Sequence, residues 1–169
     1  MKKTLLFVIA FISIAPKIFS QTDTAKAPYE KVPVFPPVRL VLPDKSAFYK
    51  KDLPSKKPVM LMVFNPQCEH CQHETDEMLK HMDWFKNTTI VMATSMPYDS
   101  MMNFRERYNL ATHSNIILGQ DDQYFLYSFY AIRNLPFIAF YDKKGKLISV
   151  SRGTMPIDKV AAELKKQGN

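Results

Sequence analysis

The segment Val59–Phe64, VMLMVF, is apolar at every position and runs directly into Asn65-Pro66-Gln67-Cys68-Glu69-His70-Cys71. A short run with no polar alternation is what a strand covered on both faces requires. Pro66 stops it, because proline supplies no ladder donor. Beyond it the period changes. Met78, Leu79, Met82 and Phe85 recur at helical intervals, which predicts a helix over 68–86. A pair of cysteines therefore stands where a buried strand gives way to a helix. A strand of this kind needs neighbours on both sides and helices above and below, so all-helical and loop-rich disulfide folds are excluded.

The rest of the chain repeats the alternation. Val38–Leu42 reads as a strand, followed by a turn at Pro43-Asp44-Lys45-Ser46. Thr88–Ser95 reads as a second buried strand, and Pro97-Tyr98-Asp99 opens a helix through Tyr108. Asn115–Leu118 is a short strand, and Asp121-Asp122 can cap a helix through Tyr130. Phe137–Tyr141 and Lys146–Ser151 flank Asp142-Lys143-Lys144-Gly145, a hairpin signal. Residues 157–166 form a closing amphipathic helix. Alternating strands and helices imply right-handed crossovers and parallel central strands, and the hairpin makes the sheet mixed. The expected fold is α/β, with a mixed central sheet and helices on both faces.

The first twenty residues stand apart. Met1-Lys2-Lys3 is a positive start, Leu5–Ala15 is apolar apart from Ser13, and Ser20 is a small residue suited to cleavage before Gln21. That is the layout of a signal peptide. The apolar run is roughly half the ~20 residues needed to span hydrocarbon, which argues against a retained anchor. Residues 21–37, with Pro28, Pro33, Pro36 and Pro37, read as a Pro-rich linker or N-terminal arm, and 38–169 as the folded domain. Removing residues 1–20 takes away three lysines and no acids, so a formal charge of +7 falls by 3 to +4. With no basic block interleaved with aromatics, nucleic acid is a poor partner. An exported chain, expected in the periplasm, places both cysteines where disulfides form and persist.

The two cysteines carry the chemistry. The unpaired N–H groups and dipole of a helix N-terminus favour an anion at Cys68, and the thiolate is the species that attacks disulfides. Cys71, one turn on and less exposed, is the natural resolving thiol. Glu69 and His70 lie between them and act on the thiolate in opposite senses, as tuning residues. Glu74 follows Cys71 by three positions on the same helix face, where a carboxylate can take and return a proton. The pair could instead be a structural disulfide or half of a metal site. Zinc commonly uses two separated ligand pairs, and no second pair is present. Copper(I) could use Cys68, Cys71 and His70 or His73, although most of the ten methionines fall at core spacing. Gln72 occupies the position where covalent haem attachment requires histidine. No cofactor and no metal site are expected. His81 and His113 have no partner pattern.

These features resemble the thioredoxin superfamily, and within it the exported TlpA/ResA-type thiol–disulfide oxidoreductases. The resemblance spans residues 38–169. It rests on the strand VMLMVF, the Cys68-Glu69-His70-Cys71 motif opening a helix, and Glu74 in the pattern C-E-x-C-x-x-E. It rests also on Tyr130-Ala131-Ile132-Arg133-Asn134-Leu135-Pro136-Phe137, which is similar to the segment leading into the family's cis-proline. The resemblance implies a thioredoxin-like fold and Glu74 as an active-site glutamate. It further implies a cis Pro136 facing the dithiol, with the Leu135 backbone pairing with the substrate chain. Expected partners are disulfide- or dithiol-containing exported proteins and a membrane-linked electron donor, the protein itself acting as a monomer. Gln67 stands where thioredoxins carry Trp, Met62 where they bury Asp, and His70 where ResA-type proteins often carry Pro. These departures bear on the direction of electron flow. The alternatives are a copper metallochaperone of the same fold, a peroxiredoxin-like peroxidase, and an interaction domain with an idle dithiol. The peroxidase would need an activating Thr or Ser, and Asn65–Gln67 supplies none.

Overall fold

The computed structural model describes residues 26–166; the proposed signal segment, the start of the arm and residues 167–169 lie outside them. Twelve named elements follow in order: α1 (Pro28–Lys31), β1 (Arg39–Val41), β2 (Ala47–Tyr49), β3 (Val59–Val63), α2 (Glu69–Lys80), β4 (Thr89–Thr94), α3 (Tyr98–Arg107), β5 (Ile116–Gln120), α4 (Phe125–Tyr130), β6 (Phe137–Tyr141), β7 (Leu147–Arg152) and α5 (Ile157–Lys165). The strands form one seven-stranded sheet in the order β2-β1-β5-β4-β3-β6-β7.

The uninterrupted apolar runs take the central places. β3 pairs in parallel with β4, and β4 with β5. β6 lies antiparallel to β3, β7 antiparallel to β6, and β1 antiparallel to both β2 and β5. Every residue of β3, β4 and β6 is buried. Successive side chains go to opposite faces. Met60, Met62, Met92, Ile138 and Phe140 pack with Cys71 and Met78 of α2, Phe104 of α3 and Val160 and Leu164 of α5. Leu61, Val63, Val91, Ala139 and Tyr141 pack with Tyr29 of α1 and with Leu126, Phe129 and Tyr130 of α4. The sheet is thus mixed and covered by helices on both faces.

Local chemistry sets the turns. Asp142 Oδ1 accepts from the Lys144 and Lys146 N–H groups at 2.7 and 2.8 Å, and Gly145 takes φ +75°, closing the β6–β7 hairpin. The Asp121 carboxylate accepts from the Phe125 and Leu126 N–H groups at 3.1 and 2.8 Å and caps α4.

Three local features differ from the sequence expectation. α2 ends at Lys80, and Met82–Phe85 form a separate 3₁₀ turn. The His81 ring Nδ1 lies 2.9 Å from the Glu77 carbonyl, so the backbone loses that helical acceptor and His81 N–H turns to Met78 O. β2 is an edge strand that the sequence conceals, because only Phe48 of its three residues is buried. The arm is also no free tether over its described part. Phe35 is 0% exposed, Tyr29 is buried, and Val34 bridges to Lys146. The Phe35 N–H donates to Gly145 O at 2.9 Å and Leu147 N–H to Pro33 O at 2.7 Å. Proline limits this segment's donors, so the arm gives the hairpin one backbone N–H, that of Phe35, and receives one, that of Leu147.

Candidate active site

The sheet register builds the site. Val63, the last residue of β3, faces Phe137, the first of β6. The loop leaving β3 and the loop entering β6 therefore meet at one end of the central strands. Cys68 stands in the first and Leu135-Pro136 in the second.

The β3–α2 loop is held by its own polar atoms. The Gln67 N–H donates to Asn65 Oδ1 at 2.9 Å and the Cys68 N–H to Asn65 O at 3.0 Å. Gln72 Nε2 reaches back to Pro66 O at 2.8 Å. Cys68 occupies the N-cap of α2 with extended backbone (φ −81°, ψ 117°), so its side chain leaves the helix where backbone N–H groups are unpaired.

Both cysteines are free. Cys68 is half-buried, and its Sγ lies 4.0 Å from the Leu135 carbonyl oxygen, within reach of an S–H donor. The Leu135–Pro136 peptide is cis, as the resemblance implied. Cys71 is 0% exposed, one helical turn on. Burial pushes its thiol up to about 12; the Asn65 backbone N–H pulls the other way, and the Cys68 thiol and Glu74 carboxylate add to the rise. The buried Cys71 thiol therefore resists ionisation at neutral pH.

Glu74 is 4% exposed, on the same face of α2. Burial raises its carboxyl above the ordinary value, against the Met155 N–H that donates to Oε2 at 3.0 Å. Cys71 and Glu74, three positions apart on α2, are thus a thiol and a carboxyl both disfavoured as anions by burial.

Cys68, His70 and Leu135 share an open groove of about 610 Å³. Glu69 is exposed and is not among its lining residues. The site thus gathers Cys68, Cys71, Glu74, His70, Leu135 and Pro136, leaving Glu69 at its margin.

A thioredoxin-like domain family model matches residues 49–168, most of the chain. The chain belongs to the thioredoxin-like family. No curated protein matches the sequence. Among solved structures, the thioredoxin-like domain is similar to MTB dsbF at 20% identity and TM-score 0.66, over 78% of this chain and 96% of that one. It is similar to a secreted Mycobacterium tuberculosis disulfide oxidoreductase homologous to E. coli DsbE at 19% identity and TM-score 0.64, over 77% and 96%. The exposed lipoprotein thioredoxin Etrx1 of Streptococcus pneumoniae matches at 25% identity and TM-score 0.57, over 76% and 97%. Among the described residues no helix is long and apolar enough to cross a membrane.

Sequence reasoning missed part of this thioredoxin-like site. Arg133, Asn134, Arg152, Gly153 and Thr154 also line the groove. Arg133 and Asn134 precede Leu135 directly and could have been taken from that adjacency. Arg152 comes from β7, where it pairs with Phe137. Counting hairpin register outward from the Asp142–Gly145 turn would have reached it only approximately, because the ladder shifts at Phe140/Tyr141.

Proposed function

We propose that the protein is an exported, periplasmic thiol–disulfide oxidoreductase acting on protein disulfides. The observation that carries this reading is a half-buried Cys68 sulfur at the groove edge, 4.0 Å from the Leu135 carbonyl, with Cys71 sealed beneath it. The Cys68 thiolate attacks one sulfur of a substrate disulfide. A Cys68–substrate S–S bond forms, the substrate's own S–S bond breaks, and the departing sulfur takes a proton. Cys71 then gives its proton to Glu74 and attacks Cys68 Sγ. The Cys68–Cys71 bond forms as the second substrate sulfur leaves and is protonated. Two electrons pass from the protein dithiol to the substrate, and a membrane-linked dithiol donor restores the reduced state. The reverse order oxidises a substrate dithiol, and the reduction potential sets which direction prevails. Leu135 and Pro136 dock the substrate chain, while His70 and Glu69 tune the thiolate.

A buried Cys71 explains why attack is sequential. Only Cys68 is accessible to a partner, and Cys71 can reach only Cys68. Insulin reduction with dithiothreitol tests the proposal: Cys68→Ser is expected to abolish the protein's acceleration, and retained activity in that variant would end it. Cys71→Ser is expected to hold the mixed disulfide on Cys68 and so reveal the partner by mass spectrometry.

A further inference from the structure

One flank of the dithiol is basic. Arg133 and Arg152 line the groove at Cys68, with His70 and no carboxylate. Past Arg133, Asn134 and Arg152 the groove continues into a second hollow of about 590 Å³ that reaches Lys26 and Glu30. Glu30 is already engaged, accepting from the Tyr29 hydroxyl at 3.0 Å. Among the described residues neither Arg133 nor Arg152 belongs to an ion pair.

Arg152 is placed rather than loose. Its backbone pairs with Phe137, and the next residue, Gly153, donates its N–H to Pro136 O at 2.8 Å. Its Nη2 donates to Tyr29 Oη at 2.7 Å, which leaves most of the five guanidinium N–H groups for another acceptor. Tyr29 is itself buried by the N-terminal arm's packing against α4, so the arm helps to fix the guanidinium beside the site. Two planar donor forks with no ion-pair partner, in a groove where Glu30 is the one lining carboxylate among the described residues, match carboxylates.

Resting on the disulfide-exchange reading, we infer that this groove selects substrates whose reactive cysteine lies within a few residues of aspartate or glutamate, an extended acidic segment lying over Arg133 and Arg152. The guanidinium pair steers the segment in and sets its position while its sulfur meets Cys68. Recognition is by charge, so it weakens with salt.

The test uses the reduced protein and three disulfide probes: short peptides with one cysteine capped by 2-mercaptoethanol, flanked by Glu in one and Lys in the other, and neutral bis(2-hydroxyethyl) disulfide. At low salt the Glu peptide is expected to react roughly tenfold faster than the Lys peptide, the gap closing near 1 M salt where screening acts within about 3 Å. Arg133→Gln and Arg152→Gln are each expected to lower that ratio several-fold. Lys57→Gln removes the same charge at the opposite end of β3 and is expected to leave it. Equal rates for the two peptides in the parent protein, with the neutral disulfide still reduced, overturn the groove inference and leave disulfide exchange standing. An equal loss in Lys57→Gln overturns it too, since overall charge then suffices. No reaction with any probe overturns both.

Discussion

Glu74 Oε2 accepts a 3.0 Å hydrogen bond from the Met155 backbone N–H, tying the dithiol helix to the segment that leads into α5. The bond holds the carboxyl in place against the burial that disfavours its charge. In the proposed reaction its other oxygen exchanges a proton with Cys71, whose thiol burial pushes up to about 12. Glu74→Gln keeps the shape and an acceptor for Met155 but cannot take a proton. The resolving step is expected to slow about 10²-fold while the first attack by Cys68 keeps its rate. Quenched-flow mass spectrometry would then show the mixed disulfide accumulating. An unchanged resolving rate would remove Glu74 from the reaction.

The same residue makes stability depend on pH. Its carboxyl titrates near the ordinary 4.5 when unfolded and higher when folded, burial being the larger cause. Between those values the folded state binds more protons than the unfolded state. The stabilisation is complete below pH 4.5 and is lost as pH rises through the folded value. Gln does not titrate. The melting temperature of Glu74→Gln minus that of the parent is therefore expected to become more positive from pH 4 to pH 7. A constant difference over that range would show that the folded carboxyl is not raised.

Phe35 measures whether the arm belongs to the core. Its ring is 0% exposed and meets the Tyr141 ring edge-on at 5.3 Å. Phe35→Ala would open a cavity there and is expected to cost about 3–5 kcal/mol in urea denaturation. A tether that merely follows the chain would lose almost nothing.

What could be read from the residues divides along a physical line. Val59–Phe64 declares itself because a strand buried on both faces leaves no polar position, and the hairpin declares itself because Asp142 and Gly145 solve a local problem. The cysteine pair is legible for the same reason: its helix-opening position is local. Phe35 is different. Four prolines in its segment describe the backbone, but its burial depends on Gly145 and Tyr141, more than a hundred residues away. Arg152 joins Cys68 only through strand pairing with Phe137, so its presence at the site is a property of the sheet. β2 escapes notice because three residues, Ala47-Phe48-Tyr49 between Ser46 and Lys50, are too few to show a strand period. Local rules reach the fold and the nucleophile, while the groove around it comes from long-range pairing.

Gly119 tests that long-range pairing where β5 meets β1. A Cβ built on Gly119 would lie 2.7 Å from Leu40 Cβ and 3.3 Å from Leu40 Cδ1. The nearer atom is attached directly to the β1 backbone, so no rotamer change relieves it. Leu40 is fully buried, and the strands are joined through Val41 and Gln120, which leaves β1 little room to retreat. Gly119→Ala is expected to destabilise the fold by about 1–3 kcal/mol, the ordinary cost of overpacking, despite alanine's slightly better strand propensity. Adding Leu40→Ala should restore little of the loss, because it removes Cδ1 and leaves the clashing Cβ. Leu40→Gly removes that atom, so its cost should be smaller in the Gly119→Ala background than in the parent. Chemical denaturation of the four combinations reads this coupling directly, and additive costs would mean that β1 and β5 do not approach each other at Leu40 and Gly119.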